Sequence, residues 1–503
     1  MEFASVLFIE LFLPVILIVY YLLGFIKKER VRTGIRNGFL LLASLVFYAF
    51  GGINELLLFI ALIALNFFAG WAIGAIDAEK KKGLRRAVFV GTLLLNVGVL
   101  IFFKYTTMFM SMIDMFKNSG SFGAAMEGLV KFNTSVVPEG ILKIVMPLAI
   151  SFIIFQAISY VTDVYLGKTE RSKNILTFAL YMTLLCQVTQ GPIMRYGNLG
   201  KQIESRTHTM EGFTAGLRRF VYGLAKKVLI ANVVAASVDK IFATQNTTMN
   251  IESMGAPIAW LGIVLYTIQI YYDFSGYTDM AIGVGGMLGF KIDENFNYPY
   301  TSFSVQEFWR GWHISLSNWF KDYIYIPLGG SRCSKARACF NVAVVFFVTG
   351  IWHGANLTFI VWGLIFVVMS IIERLFLGKL LQKNPVKPLN WLYTTLVVMI
   401  GWVFFRSDSL DFAGKYIGQM FSFKSSSAGY SVLSYLDLSV IIALVCGIVF
   451  CGALQRPLAK VAEKFKTKTW VRIVEYVLLL ALFALCIVRV VGGSYAPSIY
   501  QNF

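Results

Sequence analysis

Charge, histidine and paired cysteine are what this 503-residue chain has least of. Asp, Glu, Lys and Arg make up 14% of it, against 57% hydrophobic residues, and the mean hydropathy is +0.69. That balance excludes an ordinary soluble globular domain. Histidine occurs three times, as His208, His313 and His353, too few for a His/Cys metal cage. The six cysteines form no C-x-x-C pair, and in apolar stretches a thiol behaves as a small hydrophobe. No polar stretch is long enough to fold as a soluble domain, and no low-complexity linker divides the chain. The inverted repeats of many transporters are not visible, and no G-x-S-x-G elbow marks a serine hydrolase. "GVGGMLGF" at 283–290 misses the spacing of a dinucleotide loop and follows no strand. Its small residues suit close packing of membrane helices instead.

What is present is a train of apolar stretches. They run near 5–26, 37–52, 55–76, 87–103, 141–164, 175–190, 215–236, 256–275, 276–290, 338–352, 356–373, 389–405, 437–454 and 470–490. A bilayer crossing takes about 20 apolar residues, so several of these are too short and are expected to be re-entrant or kinked. The expectation is an all-α polytopic membrane protein with about 10–12 crossings. The first stretch follows only Glu2, with no basic residues before it, and is expected to remain as a span. Basic clusters follow at Lys27, Lys28, Arg30, Arg32 and Arg36, at Lys80–Lys82, Arg85 and Arg86, and at 168–173 and 456–472. The stretches 104–140, 406–436 and 489–503 are poor in Lys and Arg. Basic loops face the cytoplasm, which places both termini on the far side. The net charge of +18 is therefore a matter of topology and anionic headgroups rather than of nucleic acid.

Residues 291–335 interrupt the spans with a segment rich in Trp, Tyr, Asn, Arg and Lys. Within it, 304–321 has helical periodicity. Val305, Phe308, Trp312, Leu316 and Trp319 make an apolar face; Gln306, Arg310, His313, Ser317 and Lys321 make a polar one. The spacing predicts one amphipathic helix lying along an interface or lining a wet cavity, with His313 on its polar stripe. A basic run (Arg332, Lys335, Arg337) precedes the span 338–352, which carries His353 to its far end before "GAN" turns the chain. An ionisable group inside a membrane protein is a functional candidate. His208, beside Thr209 and Glu211, reads as part of a helix start.

Imidazole takes and returns a proton near neutral pH, so a buried one can act as a base toward a hydroxyl or thiol. Intramembrane carboxylates for a proton relay exist (Glu10, Asp163, Asp273, Asp279), but their spacing gives no coherent path. Group transfer assisted by a general base is the better chemical reading. A transporter in which the histidines bind substrate remains the alternative from another class.

"FWRGWHISLSNWFKDYIYIPLGGSR" (308–332), followed by "TGIWHGANLTFIVWG" (349–363), resembles the membrane-bound O-acyltransferases, and within them the bacterial alginate O-acetyltransferase branch. "PLAISFIIFQAISYVTDVY" (147–165), "QGPIMRY" (190–196), "GLRRFVYGLAKKVLIAN" (216–232) and "YYDFSGYTDMAIGVGGMLGF" (271–290) agree, and the likeness covers essentially the whole chain. It implies one integral-membrane domain over 1–503 in the cell membrane, with a catalytic core over 141–373 and a central tunnel. It implies an acyl group taken from the cytoplasm and passed to an acceptor outside, with His353 and His313 as the catalytic pair. "YIPLGG" favours the polysaccharide-acetylating branch over the teichoic-acid D-alanylating one. Acetyl-CoA is the expected donor, polysaccharide the final acceptor, and an extracytoplasmic SGNH-type transferase or esterase the expected partner. The tail "SIYQNF" resembles a terminal motif whose Tyr carries the acyl group, here Tyr500. Arg310 and Lys321 are the candidates for meeting the donor's phosphates. Trp309, Trp312 and Trp352 read as walls and interface anchors. A D-alanyl or other acyl transferase fed by a carrier-protein thioester is the alternative within the family.

Overall fold

The computed structural model describes residues 2–119, 121–133, 144, 146–242, 251–426, 431–452, 454–465 and 468–493, and among these no strand occurs. The helices are α1 Leu7–Phe25, α2 Glu29–Ala49, α3 Ile53–Ala75, α4 Lys82–Asn118, α5 Phe122–Lys131, α6 Ile150–Tyr165, α7 Ile175–Thr183, α8 Tyr196–Glu204, α9 Met210–Ile241 and α10 Gly255–Met287. After them come α11 Val305–Gly311, α12 Ile314–Phe320, α13 Lys335–His353, α14 Leu357–Lys383, α15 Lys387–Arg406, α16 Leu410–Met420, α17 Leu438–Val449, α18 Gln455–Phe465 and α19 Thr469–Val491.

Among the described residues nine helices (α1, α3, α4, α9, α10, α13, α14, α15 and α19) are long and apolar enough to cross a membrane. The chain is a multi-pass, all-α membrane protein. Fewer long spans form than the stretches suggested: 37–52 lies in α2, whose first two turns carry Arg30, Arg32 and Arg36 and which is not among the nine, and two further causes account for the rest. The stretches 141–164, 175–190 and 437–454 yield helices of only 16, 9 and 12 residues; at 1.5 Å per residue even the longest falls short of a ~30 Å hydrocarbon core. The stretches 256–275 and 276–290 fuse into the single 33-residue α10. Gly276 does not break it, because α9 packs backbone to backbone along that face.

The α9–α10 contact is the spine of the fold. A Cβ on Gly216 would lie 2.6 Å from the Gly283 carbonyl oxygen, and one on Gly223 would lie 2.6 Å from that of Gly276. Small residues at the crossing let the backbones approach this closely. A π-helical turn at Lys226–Ala231 turns two successive lysines of α9 toward α10. Lys227 pairs with Asp273, and Lys226 lies 2.6 Å from Asp279, which Arg219 also reaches at 2.7 Å. Two of the carboxylates considered for a proton relay are thus held in ion pairs that join the two helices, the Lys227–Asp273 pair buried and those of Asp279 partly exposed.

Residues 288–334, where spans give way to short helices, sit against this spine. α13 and α14 form an antiparallel hairpin beside them, with α15 against α14. A cluster of Phe152, Phe155, Leu316, Trp319, Phe320 and Trp352 ties α6, α12 and the end of α13 together. Within it Phe155 stacks on Trp319 at 4.0 Å and on Trp352 at 5.3 Å. α19, by contrast, buries little of itself in protein, as suits a helix solvated by lipid.

Candidate active site

α13 starts in the basic run and rises for 19 residues, about 28 Å, ending at His353. The last carbonyls of a helix have no partner within it, and here α4 supplies them. Lys104 donates to the Trp352 carbonyl and Tyr105 to the Ile351 carbonyl. The Lys104 ammonium also lies 5.4 Å from the centre of the Trp352 indole and 3.4 Å from Ser151 Oγ. A buried cation therefore sits at the negative end of the helix that carries His353. Between Arg86 and Asp114, Lys104 is the one charged residue of α4.

The His353 imidazole is enclosed by aromatic rings. Trp352, Trp362 and Phe405 stand edge-on to it, with centroids at 4.8, 4.9 and 5.1 Å. These walls come from α13, α14 and α15, so the chamber draws on Lys104 and Phe405 from outside 141–373.

His313 lies near the same indole, its ring 6.5 Å from that of Trp352. The single helix expected over 304–321 is broken here. Trp312 is extended and His313 takes φ +46°, a left-handed conformation that costs a non-glycine residue energy. What holds the break is the segment 295–297. Asn297 N–H donates to the Gly311 carbonyl at 2.9 Å, and Ile314 N–H to that of Asn295 at 2.9 Å. The Asn295 side-chain oxygen accepts from Ser315 N–H (3.0 Å), Ser315 Oγ (2.9 Å) and His313 Nδ1 (3.1 Å). A backbone N–H can only donate, so this atom is Oδ1, and the imidazole nitrogen facing it carries the hydrogen. His313 is thereby fixed as the Nδ1–H tautomer with a lone pair on Nε2. That Nε2 is buried with no hydrogen-bond partner among the described residues. Phe274 meets the ring edge-on at 4.7 Å.

Two features of the expected helix survive the break: its five apolar positions are buried, and Arg310 and Lys321 are exposed. His313 changes sides, being 2% exposed rather than on a polar stripe. Arg310 lines a cavity of about 540 Å³, and Lys321, at the start of a π-helical turn, does not. Tyr500 lies outside the described residues. Sequence reasoning missed Lys104 and Asn295; a lone lysine in "VGVLIFFKYTTMFM" is the signal that would have found the first. Among the described residues no three His, Cys, Asp or Glu side chains converge to hold a metal ion.

His208 is structural. Its Nε2 lies 2.8 Å from the Tyr20 hydroxyl, which Arg206 also contacts, and Thr209 caps the following helix by accepting from Gly212 N–H at 3.0 Å. Burial and the cations of Arg36, Arg206 and Arg32 push this imidazole down to about 4. The unfolded chain binds that proton near pH 6.5. Acid therefore favours unfolding, and the contribution of His208 is lost as pH falls from about 6.5 toward 4. The melting temperature in detergent should drop over that window, and His208→Gln should flatten this part of the profile. An identical pH profile in the variant would remove His208 as the cause.

The sequence profile of the membrane-bound O-acyltransferase family matches residues 91–410, a range that takes in Lys104, Asn295, both site imidazoles and Phe405. The chain is 37% identical to the probable alginate O-acetylase AlgI of Pseudomonas putida, over 100% of both chains. It is 33% identical to the peptidoglycan O-acetyltransferase of Helicobacter pylori, over 83% of this chain and 79% of that one. A teichoic acid D-alanyltransferase of Bacillus subtilis is more distant, 28% identical over 53% of this chain and 69% of its own.

Proposed function

The chain belongs to the membrane-bound O-acyltransferase family, and from that premise we propose that it moves acetyl groups from a cytoplasmic thioester across the membrane for O-acetylation of an exported polysaccharide. It is a membrane acyltransferase. The observation that carries the finer reading is the pair of buried imidazoles beside Trp352. In support, the relatives matching over most of their length are named for O-acetylation, and the D-alanyl relative matches about half of this chain.

In the reaction, an acceptor hydroxyl attacks the carbonyl carbon of the acetyl thioester. A C–O bond forms, the C–S bond breaks and the thiolate leaves. His353 takes the hydroxyl proton, a contribution of about 10²–10⁴ in rate. His313, with its Nδ1–H committed to Asn295, offers the Nε2 lone pair. It orients an incoming O–H by accepting from it rather than donating to the oxyanion. The aromatic walls exclude water, which otherwise competes as acceptor.

Acetyl-CoA is the donor we propose, entering on the face of the basic loops, where Arg310 meets its phosphates. Both termini then lie outside, and Tyr500 receives the acetyl group before an SGNH-type partner passes it to sugar hydroxyls. Incubating the purified full chain with acetyl-CoA should release CoA and leave an acetyl group on the tail peptide, absent in Tyr500→Phe. Release of CoA without tail acetylation would remove the relay and keep the transferase. If only an acyl carrier-protein thioester is consumed, the D-alanyl-type alternative takes its place.

A further inference from the structure

The indoles around His353 differ from those elsewhere in the fold. A buried indole N–H ordinarily finds an acceptor. Away from the chamber, Trp260 Nε1 donates to the Met420 carbonyl (2.8 Å) and Trp319 Nε1 to that of Phe155 (2.9 Å). Trp391 Nε1 donates to the Tyr300 carbonyl (2.8 Å) and Trp402 Nε1 to the Tyr300 hydroxyl (3.1 Å). Trp309, Trp352 and Trp362 instead each bury an N–H with no acceptor among the described residues. The rings of Trp352 and Trp362 stand against the His353 imidazole, with centroids at 4.8 and 4.9 Å. Trp309 stands one ring farther out, meeting Trp362 at 5.7 Å. Trp352 is 3% exposed and Trp362 1%, so water does not reach them freely. A buried donor left without an acceptor is costly to the fold, and each one in a native structure calls for an explanation. The chemistry beside these two supplies it.

Attack on the thioester carbonyl drives its π electrons onto the oxygen, and a site that excludes water must hold that charge with its own donors. His313 is not one of them, because its N–H is committed to Asn295. We propose that the indole N–H groups of Trp352 and Trp362 form the oxyanion hole of the transfer, both donating to the acetyl oxygen as the tetrahedral adduct forms. The inference rests on the acetyl-transfer reading and adds the donors for the developing charge. Neither indole gives up a proton. The C–O bond forms and the oxygen takes the carbonyl pair; that pair returns as the C–S bond breaks and the thiolate departs. Donors fixed by packing need no reorganisation at that moment, and in a low-dielectric pocket each is worth more than in water. The two indoles are fixed in this way. Trp352 lies at the end of α13, where Lys104 donates to its carbonyl. Trp362, on α14, packs edge-on against Phe366 at 5.4 Å and Phe405 at 5.5 Å. Two helices thus bring one donor each to the imidazole that takes the hydroxyl proton.

The test replaces single tryptophans of the purified full chain by 3-benzothienylalanine, in which sulfur stands in place of the N–H and the ring keeps its shape. CoA release from acetyl-CoA is measured beside the melting temperature. At Trp352 and at Trp362 the replacement should lower kcat about 10²–10³-fold. KM for acetyl-CoA should stay within about twofold of wild type, because the N–H groups act on the adduct rather than on bound donor. Trp362→Phe should lose at least as much. The same replacement at Trp260, whose N–H serves the Met420 carbonyl, should leave kcat as in wild type. A benzothienyl side chain that keeps the wild-type kcat where Trp362→Phe loses it overturns the proposal, since ring volume rather than the N–H would then matter. An equal fall at Trp260 overturns it as well, as a general effect of the analogue. So does a rise in KM with kcat unchanged, which would put the N–H groups on the bound donor. If wild type consumes only a carrier-protein thioester, the acetyl-transfer reading fails by itself, and the same kcat comparison with that donor still decides the oxyanion hole.

Discussion

His353→Ala lowers acetyl transfer by about 10²–10⁴-fold, equivalent to roughly 3–5 kcal/mol of transition-state stabilisation, while the chain stays folded. The rate falls because the imidazole that takes the acceptor's proton is gone. The walls of the His353 pocket are aromatic rings from Trp352, Trp362 and Phe405, none of them a proton acceptor, and Lys104 is held at the Trp352 carbonyl. His313 lies near the same indole, where its N–H is donated to Asn295 and its Nε2 lone pair orients the hydroxyl. The fold survives because those walls belong to three helices that pack on one another without the imidazole. Truncation opens a cavity, so some stability is lost, and His353→Gln serves as the fuller side chain in the same place. The measurement is CoA release from acetyl-CoA, with thermal unfolding and size-exclusion profile recorded on the same samples. A variant that keeps more than a tenth of the wild-type rate would show that His353 is not the base. A variant that loses rate only in step with its melting temperature would show that its role is packing.

Much of this arrangement can be read from the sequence, and the failures share one cause. The long spans announce themselves because an uninterrupted apolar run has few other places to go. The delivery of His353 to the end of its helix follows from a basic run, an apolar span and Gly354 in succession, all local signals. The apolar face Val305, Phe308, Trp312, Leu316 and Trp319 is equally local, and it is buried as its periodicity implies. Periodicity nevertheless carried the helix straight through His313. Both halves bury the same kind of face, so the pattern continues across a break that Asn295 imposes from 18 residues upstream. The partner of Lys104 is farther still, 248 residues along the chain. A long-range clamp has no period and no neighbouring signature. What the sequence does offer is the anomaly itself, a lysine where lipid or protein interior surrounds the chain.

Lys104→Met should reduce kcat by about 100-fold with little change in KM for acetyl-CoA, and Lys104→Arg should recover most of the loss. Methionine keeps the length and much of the volume of the side chain but removes the donor and the charge. The Trp352 carbonyl then loses its donor in an enclosed site, a cost of about 1–3 kcal/mol. The end of α13 also loses a cation at its negative pole, worth up to about 2 kcal/mol where partly buried. The last turn of that helix carries His353, so freeing it shifts the imidazole relative to the thioester, and a displacement of about 1 Å can cost 100-fold in rate. Lys104 acts here through another residue, as a positioning group, and three readouts separate that role from a purely structural one. Donor KM should stay put because Arg310, proposed to meet the donor's phosphates, is untouched. Arginine should rescue because it restores the charge and the donor. Melting temperature should fall too little to account for the lost rate. If methionine leaves kcat within twofold of wild type, the cap does not set the position of His353. If arginine fails to rescue while the fold is intact, what matters at 104 is a compact ammonium able to shed its proton, and the residue belongs to the chemistry rather than to its scaffold.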